Sequence, residues 1–286
     1  MKILKGLLLI PVAIVLVQCT RSGKEPGGNI GKKERVKREK TAVTYHFDSA
    51  KRMIDSLKKN KDIARIISAV NRTDVSHLIR MDSIIVPDDP GKTVENYLPF
   101  PLQVPYLDDI YKIVFFSYAS QSFAAYEHGE LVYTGQTNMG RKADPTPTGL
   151  YFTNWKAEET TSTFNDEWEL RWNFNIENKE GIGWHQYELP GYPASHSCLR
   201  MTEADAKFMY DWADQWKLEG TDNVIAKGTP VIVFGTYNFD GPRPWRQLVS
   251  NSGALDISAA AIEKETAPYL DEILKAQQVR RQQKGG

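Results

Sequence analysis

Between Lys112 and Gly235 the chain is cut into short apolar runs set close together by turn residues, and this rhythm restricts the fold more than any other feature. KIVFFSY occupies Lys112 to Tyr118, and SFAAYEHGELVYTGQT follows with Glu127-His128-Gly129-Glu130 in turn position between two further runs. Pro145, Pro147 and Gly149 then impose a turn before a strand expected at Leu150 to Asn154, and TPVIVFG closes the series at Gly235. Strand, tight turn and strand repeated at such intervals predict a compact, mostly β (α+β) domain over residues 111–235. One helix interrupts the strands. Thr202 with Asp205 three residues later forms a start resembling a capping box, Phe208, Met209, Trp212 and Trp216 form its apolar stripe, and Gly220 supplies a stop.

The remaining chain is organised around this domain. From Ser49 to Val70 the apolar positions Met53, Ile54, Leu57, Ile63, Ile66, Ile67 and Val70 recur at spacings of three and four, which predicts an amphipathic helix with a break near Asn60. It opens a helical accessory module over 46–90. A Pro-rich passage over 91–110 reads as an extended linker. Beyond Gly235 lies an extension, 236–286, in which Thr266-Ala267-Pro268 opens a helix bearing Tyr269, Leu270, Ile273 and Leu274. The 286 residues suit one sizeable domain with an accessory region, at roughly 100–200 residues per domain. Formal net charge is zero, so composition gives no reason to expect a nucleic-acid partner.

The first residues have a separate logic. Lys2 and Lys5 precede an apolar run from Gly6 to Val17, which is short for a permanent membrane span and reads as a secretory signal peptide over 1–18. Leu16-Val17-Gln18-Cys19 resembles the lipobox at which bacterial lipoproteins are cleaved and acylated, which implies lipidation of Cys19. Residues 19–45 follow as a basic flexible tether, with eight basic and three acidic residues from Arg21 to Lys40.

With Cys19 lipidated, the second of the two cysteines, Cys198, has no disulfide partner. It stands in PASHSCLRM, thirteen residues after His185 and two after His196. His185, His196 and Cys198 would supply three zinc ligands, but no paired Cys or His-x-x-x-His spacing accompanies them, and His46, His77 and His128 are scattered elsewhere. No metal is therefore expected. A Gly- and Pro-rich polar loop more often carries function than core packing. A nucleophilic reading needs a base for a thiol of pKa about 8.5, and either His185 or His196 would serve. Arg200 adds positive charge, and the helix opening near Thr202 is expected to aim its N-terminal amides toward the thiol.

At this point the stretch from Tyr111 to Gly235 resembles the L,D-transpeptidase (YkuD-like) catalytic domain. The resemblance rests on His185, then Ser195-His196-Ser197-Cys198-Leu199-Arg200, with Tyr126 to Leu131 and Pro145-Thr-Pro-Thr-Gly149 as supporting elements. It implies a β-sandwich and a two-step acyl transfer on peptidoglycan stem peptides with a thioester on Cys198, a chemistry that needs neither a metal nor a cofactor. In that scheme His185 is the general acid and base, and a backbone carbonyl near Gln186 holds its other ring nitrogen. His196 and Ser195 shape the pocket, and Arg200 binds a substrate carboxylate or fixes the loop. Ser197 stands where the family has glycine, so it must adopt the same backbone conformation or reshape the oxyanion site. An L,D-carboxypeptidase or an amidase using the same cysteine, or a weakly active wall-binding lipoprotein, is the alternative. Residues 71–89 also resemble the second half of a peptidoglycan-binding LysM repeat. The leader and Cys19 imply a lipid-anchored protein on the periplasmic side of the envelope, at the outer membrane.

Overall fold

The structure, a computed structural model, describes residues 37–162 and 169–283. The predicted leader, Cys19 and the tether as far as residue 36 lie outside the described residues. The chain begins with strand β1 (Tyr45–Asp48), helices α1 (Ala50–Lys59), α2 (Lys61–Val70) and α3 (Val75–Leu78), and strand β2 (Ile84–Pro87). The expected break at Asn60 is a helix boundary: its side chain accepts from the backbone N–H groups of Asp62 and Ile63, each at 3.1 Å, and so caps α2. The module is not purely helical, since β1 and β2 pair antiparallel.

The strands of the main domain are β3 (Lys112–Ser117), β4 (Ser122–Glu127), β5 (Glu130–Gln136), β6 (Gly149–Phe152), β7 (Lys156–Thr161), β8 (Glu169–Glu177), β9 (Ile182–Gln186) and β10 (Leu199–Met201). Helix α4 (Glu203–Trp212), the hairpin β11 (Lys217–Glu219) and β12 (Asn223–Ala226), and β13 (Pro230–Phe234) complete it, and α5 (Ala259–Thr266) and α6 (Leu270–Gln282) follow. One sheet has the order β5-β4-β3-β13-β6 and the other β10-β9-β8-β7. The turn between β4 and β5 is the predicted one, with both His128 (φ 47°) and Gly129 (φ 74°) in the left-handed region that a two-residue hairpin requires.

The two sheets face each other across a core of Val114, Phe116, Phe123, Phe174, Ile176, Trp184, Leu199, Met201, Val231 and Val233, closed on one side by Met209 of α4. Strand β3 is apolar on both faces because both are covered. Its second face, with Ile113 and Phe115, packs under Phe100, Val104, Leu107 and Ile110 and under Ile262 of α5 and Ile273 of α6. The Pro-rich segment is thus not a free linker. It forms two 3-10 turns, Val94–Asn96 and Pro105–Leu107, and buries its apolar side chains on the sheet.

Two helix limits differ from expectation. Helix α4 ends at Trp212, short of Trp216 and Gly220, because Asp214 is drawn into other bonds. Its N–H donates to Thr229 Oγ1 (2.9 Å), and its carbonyl accepts from Thr153 Oγ1 (2.6 Å) and Thr229 N–H (3.1 Å). Gly220 (φ 70°) instead turns the β11–β12 hairpin. Thr266 ends α5 rather than opening a helix, and Ala267–Tyr269 form a 3-10 turn before α6.

Candidate active site

The second sheet positions the site by simple alternation. On β8, Phe174 and Ile176 point into the core, so Asn173 and Asn175 point away from it; on β9, Trp184 is core and His185 is not; on β10, Leu199 and Met201 are core and Arg200 is not. The outward residues meet in a cavity of about 340 Å³, whose wall also includes Trp155, Thr160, Leu170, Tyr187, Ser195, His196 and Cys198. β9 and β10 run parallel with His185 opposite Arg200, which brings the histidine beside the end of the nucleophile loop.

His185 Nδ1 lies 3.0 Å from the Gln186 carbonyl oxygen, the partner that fixes the proton on Nδ1 and leaves Nε2 as the free acceptor. The residue is 4% exposed. Burial lowers the imidazole pKa from 6.5 to about 4, the Gln186 carbonyl pulls it partly back up, and the Arg200 charge lowers it further. The ring is neutral near pH 7.

Cys198 is half-buried and free of any disulfide. Burial pushes its thiol above the ordinary value, against a backbone hydrogen bond from Gly183 and the nearby Arg200 charge, which both lower it. The resting pair is therefore thiol and neutral imidazole rather than thiolate and imidazolium. Gly183 is needed at this spot, since a Cβ there would lie 2.5 Å from the Phe174 carbonyl oxygen. Arg200 stacks its guanidinium 4.3 Å above the Tyr187 ring and forms no ion pair among the described residues.

The loop before β10 is held from two sides. Ser195 is fully buried, and its Oγ donates to the Cys198 carbonyl at 2.6 Å. Ser197 has φ 74°, the left-handed conformation that glycine adopts freely, so the serine occupies the backbone state its position demands. Its Oγ donates to the carbonyls of Asp144 (3.3 Å) and Pro145 (3.2 Å), and its own carbonyl accepts from Thr146 Oγ1 at 2.9 Å. Thr146 Oγ1 in turn accepts from Gly140 N–H at 2.9 Å, where the turn is so tight that a Cβ on Gly140 would meet the Asp144 carbonyl at 2.2 Å. His196 Nε2 sits 3.9 Å from Asp144 Oδ2. On its other edge Arg200 exchanges two backbone bonds with Asn138, at 2.9 and 3.0 Å.

One expected contribution is missing. The N-terminus of α4 does not reach the thiol: the strand Leu199–Met201 intervenes, and at about 3.3 Å per residue it sets the helix start roughly 13 Å away, beyond the range of a first helical turn. Thr202 Oγ1 instead caps the helix by accepting from Asp205 N–H at 3.3 Å. Asn173, Asn175, Tyr187 and the Gly183 amide carried no signal in the sequence reading, being single polar or small residues on strands. Among the described residues no group of three His, Cys, Asp or Glu is placed to hold a metal ion.

Comparison with solved structures finds L,D-transpeptidases at low similarity. One from Stackebrandtia nassauensis is 20% identical with a TM-score of 0.36, the match covering 44% of this chain and 56% of that one. One from Mycobacterium smegmatis is 18% identical with a TM-score of 0.35, covering 44% and 59%. A third, from Mycobacterium tuberculosis, is 20% identical with a TM-score of 0.35, covering 44% and 58%. The chain thus spans less than two thirds of the length of these structures. No curated protein matches it. The sequence model of one family does: the YkuD L,D-transpeptidase catalytic domain matches residues 111–233, from the start of the strand series to its end. Residues 111–233 therefore carry the L,D-transpeptidase catalytic-domain pattern and the mostly-sheet fold that goes with it.

Proposed function

We propose that the protein is a peptidoglycan L,D-transpeptidase acting through a thioester on Cys198. The observation that carries this reading is the shared cavity wall: Cys198, a neutral His185 with Nδ1 committed to Gln186, and an Arg200 with no carboxylate partner among the described residues. His185 Nε2 takes the thiol proton as Sγ attacks a stem-peptide carbonyl, and the proton passes to the departing amine of the terminal residue, leaving a thioester. An amine from a second stem then attacks, His185 accepts its proton, and the new amide forms as the thiol is restored. Arg200 receives the donor's terminal carboxylate in the first step. Neutral histidine suits this role, because an imidazolium accepts no proton.

The leader and Cys19 add an envelope setting to the proposal: a lipid-anchored enzyme working on the periplasmic side, at the outer membrane. Cys19→Ser is expected to move the protein from the membrane to the soluble fraction.

The deciding experiment incubates the protein with disaccharide-tetrapeptide and reads product masses. Crosslinked dimers support transpeptidation, loss of one terminal residue without dimers assigns a carboxypeptidase, and unchanged substrate rejects the acyl-transfer reading. Cys198→Ala is expected to abolish every product.

A further inference from the structure

Among the described residues, buried asparagines other than Asn173 and Asn175 both donate and accept side-chain hydrogen bonds. Asn71 Nδ2 donates to the carbonyls of Ile67 and Ile85, each at 2.8 Å, while its Oδ1 accepts from Ile85 N–H at 2.9 Å. Asn138 donates to the Tyr192 carbonyl and accepts from Ala194 N–H at 3.2 Å. Asn173 and Asn175 are each only 4% exposed, yet Asn173 Nδ2 and Asn175 Oδ1 have no hydrogen-bond partner. Native chains seldom leave two such atoms side by side without a ligand or water to satisfy them. Both residues line the cavity that holds Cys198.

Their position relative to the sulfur is set by the sheet. Asn175 is paired with Gly183 across β8 and β9, and the thiol lies at this point of the sheet, with Sγ 3.9 Å from the Gly181 carbonyl oxygen and the Gly183 backbone favouring its thiolate. Asn173 lies two residues back on the same face. A register shift between Arg171 and Phe174, with Trp172 at φ 54°, adjusts β8 so that Trp172 packs beside Tyr210 while both asparagines keep to the cavity.

We propose that Asn173 and Asn175 are specificity-determining residues that bind an uncharged main-chain peptide group of the acyl donor next to the carbonyl attacked by Cys198; this rests on the acyl-transfer reading above. A carboxamide offers one donor group and one acceptor, the complement of a peptide C=O and N–H. The asparagine wall has no charge, so it selects a neutral group. Arg200, two strands away on β10, is the cavity's place for a carboxylate. The donor peptide therefore lies across the strands, with neutral amide over β8 and carboxylate over β10. Before a peptide binds, a cavity of about 340 Å³ has room for several waters able to bond the two amides.

The test uses the full chain carrying Cys198→Ala, titrated with disaccharide-tetrapeptide by calorimetry, alone and with Asn173→Leu or Asn175→Leu added. Leucine keeps the volume and removes the polar atoms. Each addition is expected to weaken binding by about 3- to 30-fold while the thermal midpoint stays level or rises, since no chain hydrogen bond is lost. Asn175→Ser, smaller but still polar, is expected to recover part of the affinity. Unchanged affinity in both leucine variants overturns the proposal. So does a parent that binds no peptide, and so does a leucine variant that unfolds, which would show that the chain itself uses the amides. Turnover by the unmodified enzyme separates the two readings. Asparagine-dependent binding without any product rejects acyl transfer and keeps the recognition site, whereas normal turnover with indifferent asparagines rejects the site alone.

Discussion

Asp74 Oδ2 accepts a 2.7 Å hydrogen bond from the backbone N–H of Leu189, in the segment that joins His185 to Cys198. The contact is reinforced on both sides. Asp74 N–H donates back to the Leu189 carbonyl at 3.1 Å, and Thr73 Oγ1 donates to the same carbonyl at 2.7 Å. Asp74 also caps α3 by accepting from His77 N–H at 2.9 Å. Module and site are thus joined at Thr73 and Asp74, the carboxylate among their contacts, within the compact unit Lys37–Gly286.

The first prediction concerns that carboxylate. Asp74→Ala leaves Leu189 N–H unpaired and removes a helix cap, a loss of about 2–4 kcal/mol, and turnover is expected to fall with it because the loop leading to Cys198 loosens. Asp74→Asn keeps an acceptor and recovers most of both. Burial alone raises the Asp74 carboxyl, but bonds from Ser76, Leu189 N–H and His77 outweigh it and hold the group below 3.8. Its contribution is therefore complete above pH 4 and lost as pH falls through the folded-state value. Thermal melts from pH 5 to pH 2 check this: the wild type is expected to lose more stability than Asp74→Ala over that range.

Ser197 gives a second prediction, because two opposing terms meet in one residue. A left-handed serine costs about 1 kcal/mol, and its Oγ bonds to the Asp144 and Pro145 carbonyls offset this. Ser197→Gly removes the strain but loses both bonds and adds freedom to the unfolded chain, for a net loss of roughly 0.5–1 kcal/mol. Ser197→Ala keeps the strain and loses the bonds, so it is expected to rank lower, and Ser197→Val lower still. Melting midpoints in the order Ser, Gly, Ala, Val check the argument, and Ser197→Gly is expected to retain activity.

Thr146 carries the third. Its hydroxyl bridges Gly140 N–H and the Ser197 carbonyl, both at 2.9 Å, so it ties the turn over 140–146 to the nucleophile loop. Thr146→Val keeps the shape and orphans both partners. The expected cost is about 2–4 kcal/mol, with slower labelling of Cys198 by a thiol reagent as the loop loses its register.

What the sequence made legible was local. PASHSCLRM, the hairpin at His128-Gly129 and the β3 and β13 runs each declare themselves within a few residues, through turn chemistry or a continuous apolar stretch. What it hid depends on distant partners. Phe100 and Val104 look like linker residues until α5 and α6 close over the same sheet face. Trp216 continues the helical stripe of α4, but bonds from Thr153 and Thr229 capture Asp214 and end the helix first. Asn173 and Asn175 were concealed by the shift at Trp172, which interrupts the pairing of β8 with β9. Cys198 stood out as a candidate from its loop, and His185 was preferred to His196 only through the family resemblance. The neutrality of the histidine was not, since it comes from burial under a fold assembled from remote segments.

That neutrality supports the last prediction. Above pH 6.5 His185 is unprotonated in folded and unfolded chains alike and pH has no leverage through it. Between 6.5 and about 4 the unfolded chain takes up a proton that the folded chain refuses, so stability falls with pH at about 1.4 kcal/mol per unit, by about 3 kcal/mol in all. His185→Gln is expected to flatten this slope. In the active site the same shift keeps the base available down to about pH 4, while burial holds the Cys198 thiol above 9.0. Alkylation of Cys198 by iodoacetamide should therefore rise through a single inflection above pH 9, and Arg200→Gln should move that inflection upward by removing a charge that favours the thiolate. A plateau of reactivity between pH 5 and 7 would instead reveal a preformed thiolate–imidazolium pair, and general-base activation by neutral His185 would have to be abandoned.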